Sequence, residues 1–408
     1  MTGTRRFLVV VPPLVGHVNP LVGVAAELAR RGHDVAWAGH PGLVHRLAGD
    51  DQRVFDCAVP EGPGRTPDLT GPAAFRFLWA EFLLPLAEAM APGVAAAIEA
   101  FAPDVVVCDQ HAVAGALVAQ RYGVVHVTSA STSAEIVDPL AAFPKIGRWL
   151  TDRLAALRAA IGDPAATSDP RFSPHGVLAF TATALVGDVP AGVRVLGPAI
   201  APRRTAPDFP WEALDQRRAT VLVSLGTANA DAATRFLTEA AGALALLTDR
   251  VQGVVVDPGH VLDRTPLPEG TVVREYVPQL DLLSQVDAVV SHGGHNTVCE
   301  ALWHGVPLVL APIRDDQPIV AEQVVAAGAG VRVRFGRVDA VRLAAAVDTV
   351  LDPATGHHAC AAAIGRVLRA GDGVLTAADH LTSVPLAPGV PDTPENNRIP
   401  CCDTESLP

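Results

Sequence analysis

The stretch from Ala288 to Pro312, AVVSHGGHNTVCEALWHGVPLVLAP, limits what this chain can fold into more than any other. It reads as a strand, a glycine loop, a short helix, a stop and a second strand. Ala288–Ser291 is a β-branched run of the buried-strand type. Gly293 and Gly294 let the backbone turn sharply and approach a ligand closely. Asn296 or Thr297 is placed to cap the helix that follows, and Gly305 to end it before a strand at Val306–Leu310. A helix N-terminus at the carboxyl end of a strand is an anion site, because free N–H groups and the helix dipole both point at the anion. His292 and Asn296 add side-chain donors there. Glu300, one turn into the helix, would repel phosphate and suits the vicinal hydroxyls of a ribose instead. The same residues also spell a capping box, Thr297-x-x-Glu300, in which Glu300 only reaches back to a backbone N–H. That reading leaves His292, the paired glycines and the downstream cluster Asp315-Asp316-Gln317 without a role. Both readings stand at this point.

The rest of the chain repeats the same architecture twice. Phe7–Val11 is a buried strand, Pro12–Asn19 a loop, and Pro20–Arg31 an amphipathic helix with Asn19 as cap and Pro20 at its first position. With a second strand at Asp34–Ala38 this is a right-handed βαβ unit, hence a parallel sheet. Helices are expected at Ala73–Leu84 and Pro92–Ala100, with strands at Val105–Cys108 and Val124–Thr128. Short strands are expected at Val177–Phe180, Ala184–Gly187 and Val193–Leu196. Residues 197–211 carry four prolines and make the best linker. The pattern restarts at Thr220–Ser224, followed by a Gly226-Thr227 loop and a helix over Asp231–Leu247. Later helices are expected at Ile319–Ala327 and Val338–Leu351, and a last one at Ala359–Leu368. This divides the chain into an N-terminal domain over 1–205, a C-terminal domain over 212–384 and a Pro-rich disordered tail over 385–408.

Composition excludes several classes. The net charge is −12 and Lys145 is the only lysine, so a nucleic-acid partner is not expected. The 6 cysteines show neither metal-ligand spacing nor a disulfide framework. Prolines and charges interrupt every apolar run before it reaches spanning length, and no signal peptide opens the chain. A cytoplasmic protein without integral membrane contact is expected. The opening loop lacks the GxGxxG of dinucleotide-binding proteins.

Two parallel-sheet domains joined by a linker form a cleft between their carboxyl-terminal strand edges, where ligands bind in such folds. His17 follows the first strand and Asp109 ends another, so both lie on one edge of that cleft. A neutral imidazole whose other nitrogen is held by a carboxylate is a good general base. Taken singly, His17 could be a capping residue and Asp109 a turn residue.

These pieces together resemble the family 1 (UGT-type) glycosyltransferases, in particular bacterial natural-product and macrolide members. The resemblance rests on SHGGHNTVCEALWHGVPLVLAP, Asp315–Gln317, EYVPQLDLL (Glu275–Leu283), VGHVNPL and VVVCDQ. It implies an α/β GT-B fold, two Rossmann-like parallel-sheet domains facing each other across a cleft. It implies diphosphate contacts from His292, Gly294, Asn296 and Thr297. Glu300 would hold the ribose hydroxyls, Asp316 and Gln317 would read the sugar, and Val277 and Gln279 would lie against the base. Gly226 and Thr227 would lie near the phosphates or sugar. His17 becomes the catalytic base and Asp109 its partner.

The implied reaction is metal-independent, inverting transfer of a sugar, glucose above all, from a nucleotide-sugar to a hydroxyl of a small lipophilic acceptor. A UDP-sugar is expected over a dTDP-sugar, because Glu300 can accept from both ribose hydroxyls. No cofactor is expected, the nucleotide-sugar being a co-substrate. The alternatives are a nucleotide-sugar epimerase of the same fold and a non-catalytic auxiliary protein.

Overall fold

A computed structural model describes residues 3–61, 69–137, 140–141, 143–201, 203, 208–226 and 233–386. Thr227, residues 202 and 204–207 of the expected linker, and residues 387–408 of the tail expected to be disordered lie outside these residues. Two wholly parallel sheets organise the rest. The first has order β3-β2-β1-β4-β5-β6-β7. Its strands are β1 (Arg6–Val10), β2 (Asp34–Gly39), β3 (Val54–Asp56), β4 (Val105–Asp109), β5 (Val125–Ala130), β6 (Val177–Ala179) and β7 (Val193–Val195). The second has order β10-β9-β8-β11-β12-β13. Its strands are β8 (Ala219–Ser224), β9 (Val251–Val256), β10 (Val272–Arg274), β11 (Ala288–Ser291), β12 (Leu308–Leu310) and β13 (Gly330–Arg332). β1, β4, β8 and β11 are almost wholly buried, which explains their unbroken Val-rich sequences. Each sheet reverses its winding once, between β1 and β4 in the first and between β8 and β11 in the second. Such reversal points open a crevice at the strands' carboxyl ends. His17 and Asp109 follow or end the strands flanking one crevice, and Gly226 and His292 the strands flanking the other.

Several expectations are corrected. The first helix runs Val15–Arg30, so Asn19 does not cap it and Pro20 lies inside it. The N–H groups of His17 and Val18 already bond to Leu14 O, at 3.0 and 3.2 Å, which starts the helix five residues early. The helix after β11 runs His295–His304 with Gly294 as N-cap and no side-chain cap, so neither Asn296 nor Thr297 caps it. Residues 183–186 form a short helix rather than a strand. The two helices expected around 73–100 are one continuous element, Gly71–Phe77, a π turn Leu78–Leu83 and Leu84–Phe101. This helix is long and apolar enough to cross a membrane, contrary to the sequence reading. Here Trp79, Leu83, Leu86 and Met90 are fully buried in the first domain's core, so its apolarity is used in packing.

A helix beyond the expected last one, Gly373–Ser383, returns to the first domain. Its Ala377, Ala378 and Leu381 join the core cluster of Phe7, Leu21 and Leu28. Arg31 fastens it through Asp379 at 2.6 Å, so the segment from 373 packs with the N-terminal half rather than with the domain to which its sequence position assigned it.

Candidate active site

The starting of the first helix at Val15 puts His17 in its first turn, facing the end of β4. His17 Nδ1 lies 2.8 Å from Asp109 Oδ1 and 2.6 Å from Ser131 Oγ. Asp109 is buried, and its Oδ1 also accepts from the backbone N–H of His111 at 2.8 Å. With Nδ1 engaged, Nε2 is the atom left to take a proton. The side chain of His17 is 17% exposed, enough to meet a substrate.

Behind the pair lies a polar chain that the sequence reading did not assemble. The His111 ring lies against His17, with centroids 4.7 Å apart. His111 Nε2 is 3.0 Å from Glu135 Oε1, and Arg171 Nη1 donates to Glu135 Oε2 at 3.1 Å. Arg171 also pairs with Asp169 and lies over the rings of Trp79 and Phe172. Burial alone would lower the His111 pKa, but Glu135 first, then Asp109 and Asp316, outweigh it and hold it above its ordinary value. Burial would raise Glu135, and Arg171 and His111 hold it below the usual carboxylate range. Glu135 and Arg171, with Ile136, Leu140, Phe172 and Val193, line a cavity of about 490 Å³. The sequence signal was present in the polar run Ser129–Ser133 and the unassigned Glu135, but nothing local pointed to Arg171, 36 residues away.

Across the cleft, β11 ends at Ser291 and the chain turns through His292 and Gly293 into the helix. His292 is buried, and desolvation pushes its pKa down to about 4, against smaller opposing effects of Asp316 and the Ser224 backbone. It is therefore a neutral hydrogen-bonding ring, not a cation. A Cβ on Gly294 would sit 2.4 Å from His292 Nε2, and one on Gly226 2.7 Å from its Cε1. Both glycines make room for this ring. Gly293 and Gly226 also hold positive φ values of 87° and 69°.

Glu300 is no helix cap. Gln279 Nε2 donates to its Oε2 at 2.6 Å and Arg203 Nη2 to its Oε1 at 2.5 Å, while Gln279 lies 3.5 Å from Thr297 Oγ1. The capping-box reading therefore falls. Burial first raises the Glu300 pKa above the ordinary range, with Arg203 and Gln279 opposing. Arg203, in the linker, was missed by the sequence reading. Val277 is not drawn into this group; it packs against the second domain's core.

Asp316 and Gln317 lie at the start of the helix Gln317–Ala326, in a loop held tightly. Asp315 takes a left-handed φ of 57°, and Gln317 Oε1 accepts from the N–H groups of Ile313 and Arg314 at 2.9 and 3.1 Å. The amide oxygen of Gln317 is thus occupied, and its N–H₂ is the part left to read a ligand.

The two halves meet at these same residues. Asn296 Nδ2 donates to Gly16 O at 2.7 Å, and Thr132 Oγ1 donates to Asp316 Oδ2 at 2.6 Å. Ser133 Oγ donates to Gln323 Oε1 at 2.6 Å, and His295 Nε2 lies 3.1 Å from Phe180 O. The imidazole–carboxylate pair thus faces the open helix N-terminus across a narrow seam. A base opposite an anion site is an arrangement for displacing a phosphate-bearing leaving group.

Comparison with known proteins follows the same line. A family model described as UDP-glucoronosyl and UDP-glucosyl transferase matches residues 202–358. The chain is 32% identical over 399 residues to 4'-demethylrebeccamycin synthase of Lentzea aerocolonigenes, covering 85% of this chain and 92% of that one. Among solved structures it is similar to the glycotransferase of kitacinnamycin, with a TM-score of 0.74 and 28% identity over 93% of this chain and 99% of that one. It is also similar to a spinosyn rhamnosyltransferase complexed with thymidine diphosphate, with a TM-score of 0.70 and 25% identity over 92% and 99% of the two chains.

Proposed function

The chain belongs to the UDP-glucoronosyl and UDP-glucosyl transferase family and is a glycosyltransferase of the GT-B fold, and we propose that it transfers glucose, with inversion and without a metal, to a hydroxyl of a small lipophilic natural product. The observation that carries this reading is the contact of His17 Nδ1 with Asp109 Oδ1 at 2.8 Å, set opposite the helix that begins at His295. An epimerase of this fold has no need of such a pair.

His17 Nε2 takes the proton of the acceptor hydroxyl. The freed oxygen attacks the anomeric carbon from the side opposite the nucleotide, and the C–O bond to the diphosphate breaks. Asp109 supports the imidazolium formed. The leaving diphosphate is met by the N–H groups at Gly294–Asn296 and by neutral His292, which donates a hydrogen bond rather than charge. A single displacement turns an α-linked donor into a β-glycoside. Glu300 accepts from ribose hydroxyls that take the place of the Arg203 guanidinium at Oε1, with Gln279 staying on Oε2. Two hydroxyls serve it better than one, so UDP is favoured over dTDP. A dTDP donor is the second reading, favoured by the thymidine diphosphate bound to the similar rhamnosyltransferase. The cavity beside Glu135, where Ile136, Leu140, Phe172, Val177 and Val193 face Glu135, Asp169, Arg171 and Ser173, offers a small acceptor a mixed apolar and polar wall.

The test is a panel of phenolic, indole and macrolide acceptors, each incubated with UDP-glucose and with dTDP-glucose and read by mass spectrometry. A product heavier by one hexose, with matching release of nucleoside diphosphate, is expected. Interconversion of the free nucleotide-sugar without transfer would contradict the reading.

A further inference from the structure

Proline inside a helix removes one N–H and is strongly disfavoured against alanine. Pro20 lies inside the helix Val15–Arg30 and is buried. The carbonyl it leaves without its helical partner is that of the residue four positions back, Gly16. That carbonyl accepts from Asn296 Nδ2 of the opposite domain at 2.7 Å. Gly16 adjoins the base His17, and Asn296 lies in the first turn of the helix that receives the diphosphate. A Cβ on Gly16 would lie 3.7 Å from Asn296 Nδ2, so the two helix ends are in close contact. The other flank of the base is tied in the same direction. Ser131 Oγ is 2.6 Å from His17 Nδ1, and its neighbour Thr132 donates to Asp316.

We propose that Pro20 is a positioning residue, whose missing N–H reserves the Gly16 carbonyl for Asn296 and so sets the base-bearing turn against the leaving-group site. The helix gives up one internal hydrogen bond, and the bond across the cleft takes its place. The placement of His17 relative to the anomeric carbon is then fixed by the same side chain that lies at the diphosphate site. This rests on the transfer reading above, in which His17 is the base.

Pro20→Ala restores an N–H at position 20 and lets Gly16 O bond within the helix. A purely structural proline and a positioning one predict different results. Helix propensity alone predicts an equal or higher melting temperature and unchanged turnover. The proposal predicts a melting temperature no lower than wild type and kcat lower by about tenfold, with the inhibition constant for UDP within about twofold. A cycle with Asn296→Ala completes the test. If Pro20 acts through Asn296, the double variant turns over no more slowly than Asn296→Ala alone. Additive losses, or a Pro20→Ala enzyme with wild-type kcat, would overturn the proposal. The same cycle is read by hydrogen exchange at the backbone amides of 295–298, which needs no activity. Pro20→Ala and Asn296→Ala should each raise exchange there without adding, and unchanged exchange in Pro20→Ala would overturn the contact. A wild type that transfers no sugar from any donor would instead sink the transfer reading.

Discussion

His292 explains more of its surroundings than any other side chain. Its ring sets the size of two neighbouring residues, because a Cβ on either Gly226 or Gly294 would fall within 3 Å of it. Gly294→Ala is therefore expected to displace the ring and weaken UDP binding about tenfold or more by calorimetry, at the cost of one or two hydrogen bonds. Gly336→Ala, where an added Cβ meets nothing within 4 Å, is the control and should bind UDP normally. The charge state of the ring also has a consequence for stability. Burial lowers the pKa of both His292 and His126 to about 4 from 6.5. The unfolded chain then binds more protons than the native one between those values, so stability is full above pH 6.5 and falls as pH drops toward 4. The loss is on the order of 3 kcal/mol per ring. Thermal melts from pH 8 to 4.5 should decline as the pH drops below about 6.5, and His126→Asn should make that decline shallower. A melting temperature independent of pH over that range would show that neither ring is buried neutral.

At the level of elements, the segment after β5 carries the most that the sequence did not disclose. Glu135 joins His111, whose ring lies against His17, to Arg171, which lines the neighbouring cavity. Glu135→Ala leaves Arg171 and His111 without their shared carboxylate in a buried site, which should cost about 3–5 kcal/mol and lower the melting temperature accordingly. Glu135→Gln keeps an acceptor for one of the two and should lose less; equal losses would show that only the charge of Glu135, and not an acceptor oxygen, holds them. The strands β1, β4, β8 and β11 were legible because a buried parallel strand must be a short apolar run, and no side-chain contact is needed to see it. The glycine loop and its helix were legible for the same local reason. The helix start at Val15 was not. Asn19-Pro20 is a strong local start signal, and it lost to the hydrogen bonds at Leu14 O that begin the helix earlier. Thr297-x-x-Glu300 was ambiguous in sequence because its alternative partners, Gln279 and Arg203, come from distant segments. The short helix Thr183–Val186 and the returning helix Gly373–Ser383 are set by tertiary packing, which periodicity does not encode.

For the whole molecule, each catalytic requirement falls on a different half, and the seam joins them. In the proposed reaction the base comes from the first sheet's reversal point and the leaving-group site from the second's. Neutral donors and a helix terminus suffice for the diphosphate in this account, so turnover should survive EDTA within about twofold. Loss on chelation that magnesium or manganese restores would contradict it. Donor choice is read by competition. UDP should inhibit more strongly than dTDP, and Glu300→Ala should remove the difference; equal inhibition by both in the wild type would end the ribose argument. The central claim is that His17, held by Asp109, is the base in this transfer. Its most direct test is single-turnover transfer from UDP-glucose, or from dTDP-glucose if that is the donor used, by His17→Ala and Asp109→Asn, alongside calorimetric binding of the matching nucleoside diphosphate. The account predicts that both variants bind the nucleotide as the wild type does and lose transfer by about 10²-fold or more. Wild-type transfer rates in either variant would contradict it.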